Sequence, residues 1–392
     1  MRQSIPLIAL LALASCFSPK TQEPDWGREL PIGAQALLPM PLGTLPRGLT
    51  EAWHERAVIL PALERSIGWM RLASSRQFFP KAGISHDRAQ RSLERFRDLL
   101  QMSADPVAFG AAIRNEFRVF KSAGWDGRGG GVLFTGYCTP ILQGSLTAQA
   151  GYENPLYGLP KDLAKTSEGA ILGQVIEGGY RPYPTRREIE AGFHLEDKGL
   201  ELVWLADPLD AYIAHVNGSA VIQLPGGGEY RLGYAGKNGR AYTSLGKELI
   251  ADGLMRAEEV SLAAIRRWAD ENPGLVDEYL NRNDSYVFFT PIDGNPRGSL
   301  NVEVSPRLTL ATDKTLFPRA ALVYVDTTLP LPAAVGRGGQ APFRQLMLDQ
   351  DTGGAIRTAG RADIYLGIGD RAEQRAGATR SEGQLYYLFL EE

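Results

Sequence analysis

The sequence predicts an α+β chain, mainly β with a helical block near its start. Three observations lead there. Short apolar runs bounded by glycine recur through most of the chain, as in Gly131-Val132-Leu133-Phe134-Thr135-Gly136-Tyr137, and such runs suit buried strands. Residues 50–117 instead space Leu93, Phe96, Leu99 and Leu100 as one face of a helix. Glycine, at 44 of 392 residues, clusters with Pro, Asn and Asp in turn signals. A chain of this length and apolar content can bury a large core and divide into two domains, which excludes a fibrous or disordered protein.

The elements follow in order. Met1-Arg2-Gln3-Ser4, then an apolar run from Ile5 to Ala14, has the layout of an export signal and is too short to span a bilayer. Leu13-Ala14-Ser15-Cys16 resembles a bacterial lipobox, which implies a signal peptide over 1–15 and a lipid on Cys16. Acyl chains there would anchor the protein at ~0.8 kcal/mol per buried methylene. Residues 16–47 carry Pro19, Pro24, Pro31, Pro39, Pro41 and Pro46, a composition that favours an extended tether, with an ordered N-terminal arm as the alternative reading. Ser85 is placed to cap the helix that follows it. Thr185-Arg186-Arg187-Glu188 fits a capping box. A helical block is expected over 244–281, with Pro273 in a first turn. From Ser285 the pattern returns to strands, with runs at 286–289, 321–325, 363–366 and 385–389 that suggest a small β domain.

Composition narrows function. The formal net charge of −3 offers no footprint for nucleic acid. Cys138 is the one cysteine besides Cys16, so the mature chain has no thiol pair for an internal disulfide. His54, His86, His194 and His215 are scattered without ligand spacing, so neither a metal site nor a cofactor is expected.

The chemistry concentrates in Leu348-Asp349-Gln350-Asp351-Thr352-Gly353-Gly354-Ala355-Ile356 and in Arg361-Ala362-Asp363-Ile364-Tyr365-Leu366-Gly367. Asp351 and Asp363 lie twelve positions apart; a tight turn at Gly353-Gly354 followed by a strand can bring them to one end of a barrel. This stretch resembles the C-terminal domain of the membrane-bound lytic murein transglycosylase A family. Further segments resemble the family's motifs in order: Phe134-Thr135-Gly136-Tyr137-Cys138-Thr139-Pro140, Asp207-Pro208-Leu209-Asp210, Val216-Asn217-Gly218-Ser219-Ala220, Tyr234-Ala235-Gly236-Lys237-Asn238-Gly239 and Leu310-Ala311-Thr312-Asp313. Asn217, Ala220 and Cys138 depart from the family pattern, which has Gln, Gly and commonly an aromatic there.

The resemblance implies a double-psi β-barrel domain built from 48–140 and 285–392, an inserted β-rich domain over 141–284, and a glycan groove between them. It implies a peptidoglycan lytic exotransglycosylase, acting on glycan strands without a cofactor and lipid-anchored to the outer membrane, facing the periplasm. It assigns the acid to Asp363. That carboxyl would protonate the departing glycosidic oxygen, and then, as carboxylate, take a proton from the muramic acid's own C6 hydroxyl as that oxygen closes on C1. Asp351 either raises the pKa of Asp363 or fixes the Gly353-Gly354 turn. Tyr137 and Thr139 are candidates for sugar contact, Gly218 and Ser219 for close approach of a glycan to backbone, and Lys237 and Asn238 for peptide or glycan binding; each reads equally as core, turn or solvated loop. Asp313 and Asp326 read as turn or strand-end residues. Two other classes stay open: a hydrolytic endoglycosidase using Asp351 as base, and a noncatalytic wall-binding lipoprotein.

Overall fold

The computed structural model describes residues 24–166, 170–257, 259–331 and 339–392; the leader and Cys16 lie outside them. A short strand β1 (Leu37–Pro39) leads into three helices, α1 (Arg56–Met70), α2 (His86–Met102) and α3 (Pro106–Glu116). Ser85 caps α2 by accepting from the Arg88 N–H, and Asp105 does the same for α3, with Pro106 in its first turn. Strands β2 (Phe117–Ser122) and β3 (Val132–Thr139) follow.

The chain then leaves for a second unit. It contains β4 (Ile141–Ser145), β5 (Asn154–Tyr157), β6 (Leu163–Lys165), β7 (Ile171–Ile176), β8 (Gly179–Arg181), helix α4 (Arg186–Glu190), β9 (Glu201–Leu205), α5 (Pro208–Asn217), β10 (Ala220–Gln223), β11 (Glu229–Lys237), α6 (Leu245–Ala251), α7 (Leu262–Glu271), α8 (Val276–Leu280) and β12 (Val287–Pro291). It returns through β13 (Thr309–Ala311), β14 (Leu322–Pro330), β15 (Gln340–Asp351), β16 (Arg361–Ile368), α9 (Asp370–Ala378) and β17 (Arg380–Leu390).

Strand pairing closes a ring. β3 pairs with β16, β16 with β13, β13 with β15, β15 with β14, β14 with β17, and β17 returns to β3. The β13–β15 and β16–β3 pairs are parallel and the others antiparallel. Its core is filled by Phe134, Leu310, Val323, Val325, Leu346, Leu348, Ile364 and Leu385, extended outward by the apolar faces of α1 and α2. Gln350, fully buried, reaches from β15 to the Ala62 carbonyl and Ser66 hydroxyl of α1, both at 2.9 Å, and so seats that helix on the barrel. The second unit has a six-stranded sheet, β12-β11-β10-β4-β9-β5, and a three-stranded one, β6-β7-β8. Arg266 of α7 joins the units, donating to Asp210 at 2.6 Å and to Glu373 of α9 at 3.3 Å.

Three expectations need correction. Residues 24–47 are not an extended tether: β1 pairs with β2, Ala36 and Leu37 are buried in the main core, and the Trp26 carbonyl accepts from Thr358. The proline count obscured those apolar side chains. The inserted unit does not end at 284, because β12 pairs with β11 and its Phe288 and Phe289 pack inside that unit. Pro273 does not open a helix; the 244–281 block breaks into three short helices, and Pro273-Gly274 forms the turn between α7 and α8. The Thr185–Glu188 capping box is present, with both of its hydrogen bonds made.

Candidate active site

Asp363 is the third residue of β16, flanked by its parallel partner Thr135 on β3 and its antiparallel partner Ala311 on β13. Ala362 and Ile364 point into the barrel core, so alternation along the strand turns Arg361 and Asp363 to the opposite side. The Asp363 carboxyl is half-buried, and its Oδ1 is closed off from solvent with no hydrogen-bond partner. Burial pushes its pKa up to about 7; Thr135, the Arg361 guanidinium and the Ile364 backbone pull it down, while the charge of Asp351 adds to the rise.

Asp351 ends β15 and is held differently. The Tyr137 hydroxyl donates to its Oδ2 at 2.7 Å, and the backbone N–H groups of Ser299 and Thr352 donate to its Oδ1, each at 2.8 Å. Gly298 allows this approach: a Cβ there would stand 3.1 Å from the Asp351 Cγ. Burial raises the Asp351 pKa, opposed by these three donors and by Lys314. Tyr137 and Asp351 are 214 positions apart. Their meeting depends on β3 and β15 both joining the ring.

Behind Asp351 lies a buried ion pair. Asp349 accepts from Lys314, from the Thr312 hydroxyl at 2.8 Å and from the Tyr387 hydroxyl at 2.8 Å. Burial lowers the Lys314 pKa and Asp349 counteracts it. Asp313 accepts from the Thr315 N–H at 2.9 Å and from the Thr358 N–H at 3.0 Å. It thus pins the loop between the two aspartates at Thr358, whose φ of 76° is a left-handed conformation few β-branched residues adopt.

The remaining sequence candidates divide. Thr139 is 1 % exposed, and its hydroxyl is shared with Ser219 at 3.0 Å and Tyr365 at 3.1 Å. Thr139 and Ser219 therefore bond the two units together and do not present free hydroxyls to a ligand. Asn238 is 2 % exposed with every polar valence used: its amide donates to the Pro184 and Asp284 carbonyls, and its oxygen accepts from Arg240 and Tyr286 N–H groups. It acts as a structural crosslink, with its polar atoms spent inside the protein. Gly218, at φ 71°, is the left-handed cap ending α5. The Lys237 side chain is half-buried and has no hydrogen bond or ion pair among the described residues. Tyr137 lies against Tyr365, ring centroids 5.1 Å apart, and meets Asp351.

Sequence reasoning missed Tyr365, Ser299, Arg361 and the Lys314–Asp349 pair. A signal existed for the last: Asp349-Gln350-Asp351 is a polar run inside a strand whose preceding residues are apolar core. Among the described residues no group of His, Cys, Asp and Glu could hold a metal ion, and no helix is long and apolar enough to cross a membrane.

Comparison with known proteins places this geometry in company. The MltA specific insert domain matches residues 133–290, and the 3D domain matches residues 308–389. The chain is 34% identical to the membrane-bound lytic murein transglycosylase A of Escherichia coli over 287 residues, covering 71% of this chain and 72% of that protein. It is 35% identical to the Vibrio cholerae protein of the same name over 266 residues, 67% of this chain and 66% of that one. Among solved structures, a membrane-bound lytic murein transglycosylase from Agrobacterium tumefaciens superposes with TM-score 0.73 at 25% identity, covering 91% of this chain and 98% of that one. E. coli MltA with bound chitohexaose superposes with TM-score 0.69 at 26% identity, over 92% and 96%.

Proposed function

The chain belongs to the membrane-bound lytic murein transglycosylase A family, and from that premise we propose that it cleaves the β-1,4 bond between N-acetylmuramic acid and N-acetylglucosamine in peptidoglycan, leaving 1,6-anhydromuramic acid ends. The observation that carries the reading is the contrast between two neighbouring carboxyls. Asp351 accepts three hydrogen bonds that favour its ionised form, whereas Oδ1 of Asp363 accepts none and its pKa stands near 7. Like charges placed together share a proton, and it settles on Asp363, where burial outweighs the opposing pull of Thr135, Arg361 and the Ile364 backbone. Asp363 is the acid at rest.

The reaction follows from that assignment. Asp363 gives its proton to the glycosidic oxygen as the C1–O4 bond breaks, releasing the 4-hydroxyl of N-acetylglucosamine and leaving oxocarbenium character on the muramic acid ring. The C6 hydroxyl attacks C1, and the Asp363 carboxylate accepts its proton as the C1–O6 bond forms. The acid is regenerated and no water is consumed. Because the nucleophile belongs to the substrate, effective molarity replaces the second carboxylate of ordinary glycosidases. Positioned proton transfer of this kind is worth ~10²–10⁴ in rate. Asp351 serves as a fixed anion that keeps Asp363 protonated. Its three donors also speak against the hydrolytic alternative, which needs a carboxylate free to activate water.

We read the mixed parallel and antiparallel ring as the double-psi β-barrel, and the seam where Ser219 meets Thr139 and Tyr242 meets Gly354 as the floor of the glycan groove. The chitohexaose held by the E. coli relative supports a glycan ligand. The Leu13-Ala14-Ser15-Cys16 sequence supports lipidation and an outer-membrane, periplasm-facing location.

Digestion of purified murein by the wild-type protein and by Asp363→Asn, with products resolved by mass spectrometry, tests the proposal. Anhydro ends from the wild type alone are expected, with cooperative thermal unfolding no lower than that of the wild type confirming that the variant folds. Reducing ends from the wild type, or anhydro ends from Asp363→Asn, overturn it.

A further inference from the structure

Along the loop between the two aspartates, on the strand that follows it and at the end of β11 stand three cations, Arg357, Arg361 and Lys237, each with an incomplete set of partners among the described residues. Lys237 ends β11, beside Asn238, whose four hydrogen bonds fix the backbone at that point. Its ammonium is half-buried without a partner among the described residues; burial and the charge of Arg357 both disfavour it, and no described carboxylate offsets them. Tyr242, five residues on, lies over the turn joining the two aspartates, since a Cβ on Gly354 would stand 3.4 Å from the Tyr242 Cβ.

Arg357 follows that turn, exposed, with Nη1 3.8 Å from an Asp313 oxygen that already accepts from Thr315. Arg361 flanks Asp363 on β16; its Nη2 is 3.4 Å from the Thr135 hydroxyl, and its Nε is buried with no partner. Among the described carboxylates Arg361 has only that of Asp363 to favour its charge and Lys237 has none, and a half-buried cation so placed is unfavourable unless something supplies the anion. Guanidinium forks are shaped for carboxylates.

We infer that Lys237, Arg357 and Arg361 form a carboxylate-binding rim beside the acid, which recognises the anionic groups of wall glycan and not its neutral sugars. The inference rests on the glycan-cleaving reading above. Peptidoglycan offers this chemistry from two sources: the lactyl carboxyl of muramic acid where the stem peptide has been removed, and the carboxylates of the stem itself. An uncharged oligosaccharide would fill the groove but leave the rim unmatched.

The test uses four preparations of glycan strands: amidase-stripped strands, stem-bearing strands, and each of these after carbodiimide coupling to methylamine, which removes the carboxylate charge. Release of anhydro ends gives KM and kcat for the wild type and for Lys237→Gln and Arg357→Gln. On neutralised strands the wild-type KM should rise about tenfold with kcat little changed, and the two variants should lose that discrimination. Discrimination on stripped strands points to the lactyl carboxyl; discrimination confined to stem-bearing strands points to the peptide. Equal KM on charged and neutralised strands, or variants that discriminate as the wild type does, overturns the rim. Binding of the same strands to Asp363→Asn reads the rim without turnover. A preference for charged strands in that assay, with no anhydro ends from the wild type, would sink the catalytic reading and leave the rim standing.

Discussion

Replacing Asp351 with asparagine separates a fixed anion from a general base. The substitution keeps the shape, and the amide oxygen can still accept from the Ser299 and Thr352 N–H groups that now hold Oδ1 at 2.8 Å. What is lost is the negative charge facing Asp363. Burial is the larger cause of the raised Asp363 pKa and Asp351 the smaller, so its removal should lower that pKa by on the order of one unit, ~1.4 kcal/mol. The reaction needs Asp363 protonated, and the protonated fraction falls as pH rises through the pKa. With the pKa at about 7, half of the molecules carry the proton at pH 7. After a one-unit drop about one tenth do, a fivefold fall in rate, while at pH 5 both proteins are almost fully protonated and should match. The assay is anhydro-muropeptide release across pH 4.5 to 8.5, followed by chromatography. A loss of ~10²–10⁴ at every pH would show that Asp351 takes part in proton transfer directly, and the fixed-anion argument would fail.

Three further outcomes can be checked together. Because Asp363 binds its proton more tightly in the folded state than at the unfolded value of ~3.9, its contribution to stability is full below about pH 4 and is lost as pH rises through about 7. Asp363→Asn should therefore match the wild type in thermal melts at pH 4 and exceed it at pH 8 by roughly 1–2 kcal/mol once solvent screening of a half-exposed group is allowed for, a few degrees in Tm; equal melts at both pH values contradict this. Asn238→Ala removes four hydrogen bonds from a buried position and should cost about 2–4 kcal/mol in denaturant unfolding with little change in KM for murein, whereas a large KM effect with unchanged stability would restore it as a binding residue. Lys314→Met leaves Asp349 charged and buried among two hydroxyls, and a loss of about 3–5 kcal/mol is expected; a neutral result would mean that the pair contributes nothing.

Much of the fold could be read from local chemistry because its signals are local. The caps at Ser85 and Thr185 act within one helical turn, and apolar runs such as 321–325 and 385–389 report burial on both faces. The misreadings arose where partners are distant. Nothing near Leu37 says that it pairs with Ser122, and nothing near Phe288 says that Gly236 of β11 is its neighbour. The site shows the same division. Asp363 and Asp351 stand out by residue type and spacing, and the geometry brings them into mutual electrostatic reach. Sequence could not show that Tyr137 spends its hydroxyl on Asp351, that Thr139 and Ser219 face one another across the two units, or that Asn238 has no free valence. Whether a polar side chain is offered to a ligand depends on what surrounds it, and only the tertiary arrangement decides that.

The ring is closed by its last strand. The eleven residues of β17 bridge β14 to β3, and β3 is the strand that lies beside the acid's own. Asp351, Asp363 and the three donors to Asp351 therefore precede in the chain the strand that completes the cylinder, and β17 brings with it Tyr387, which donates to Asp349. Without β17 both aspartates would remain on their strands, but β14 and β3 would have no neighbour between them and the enclosure that buries Asp363 would stand open on that side.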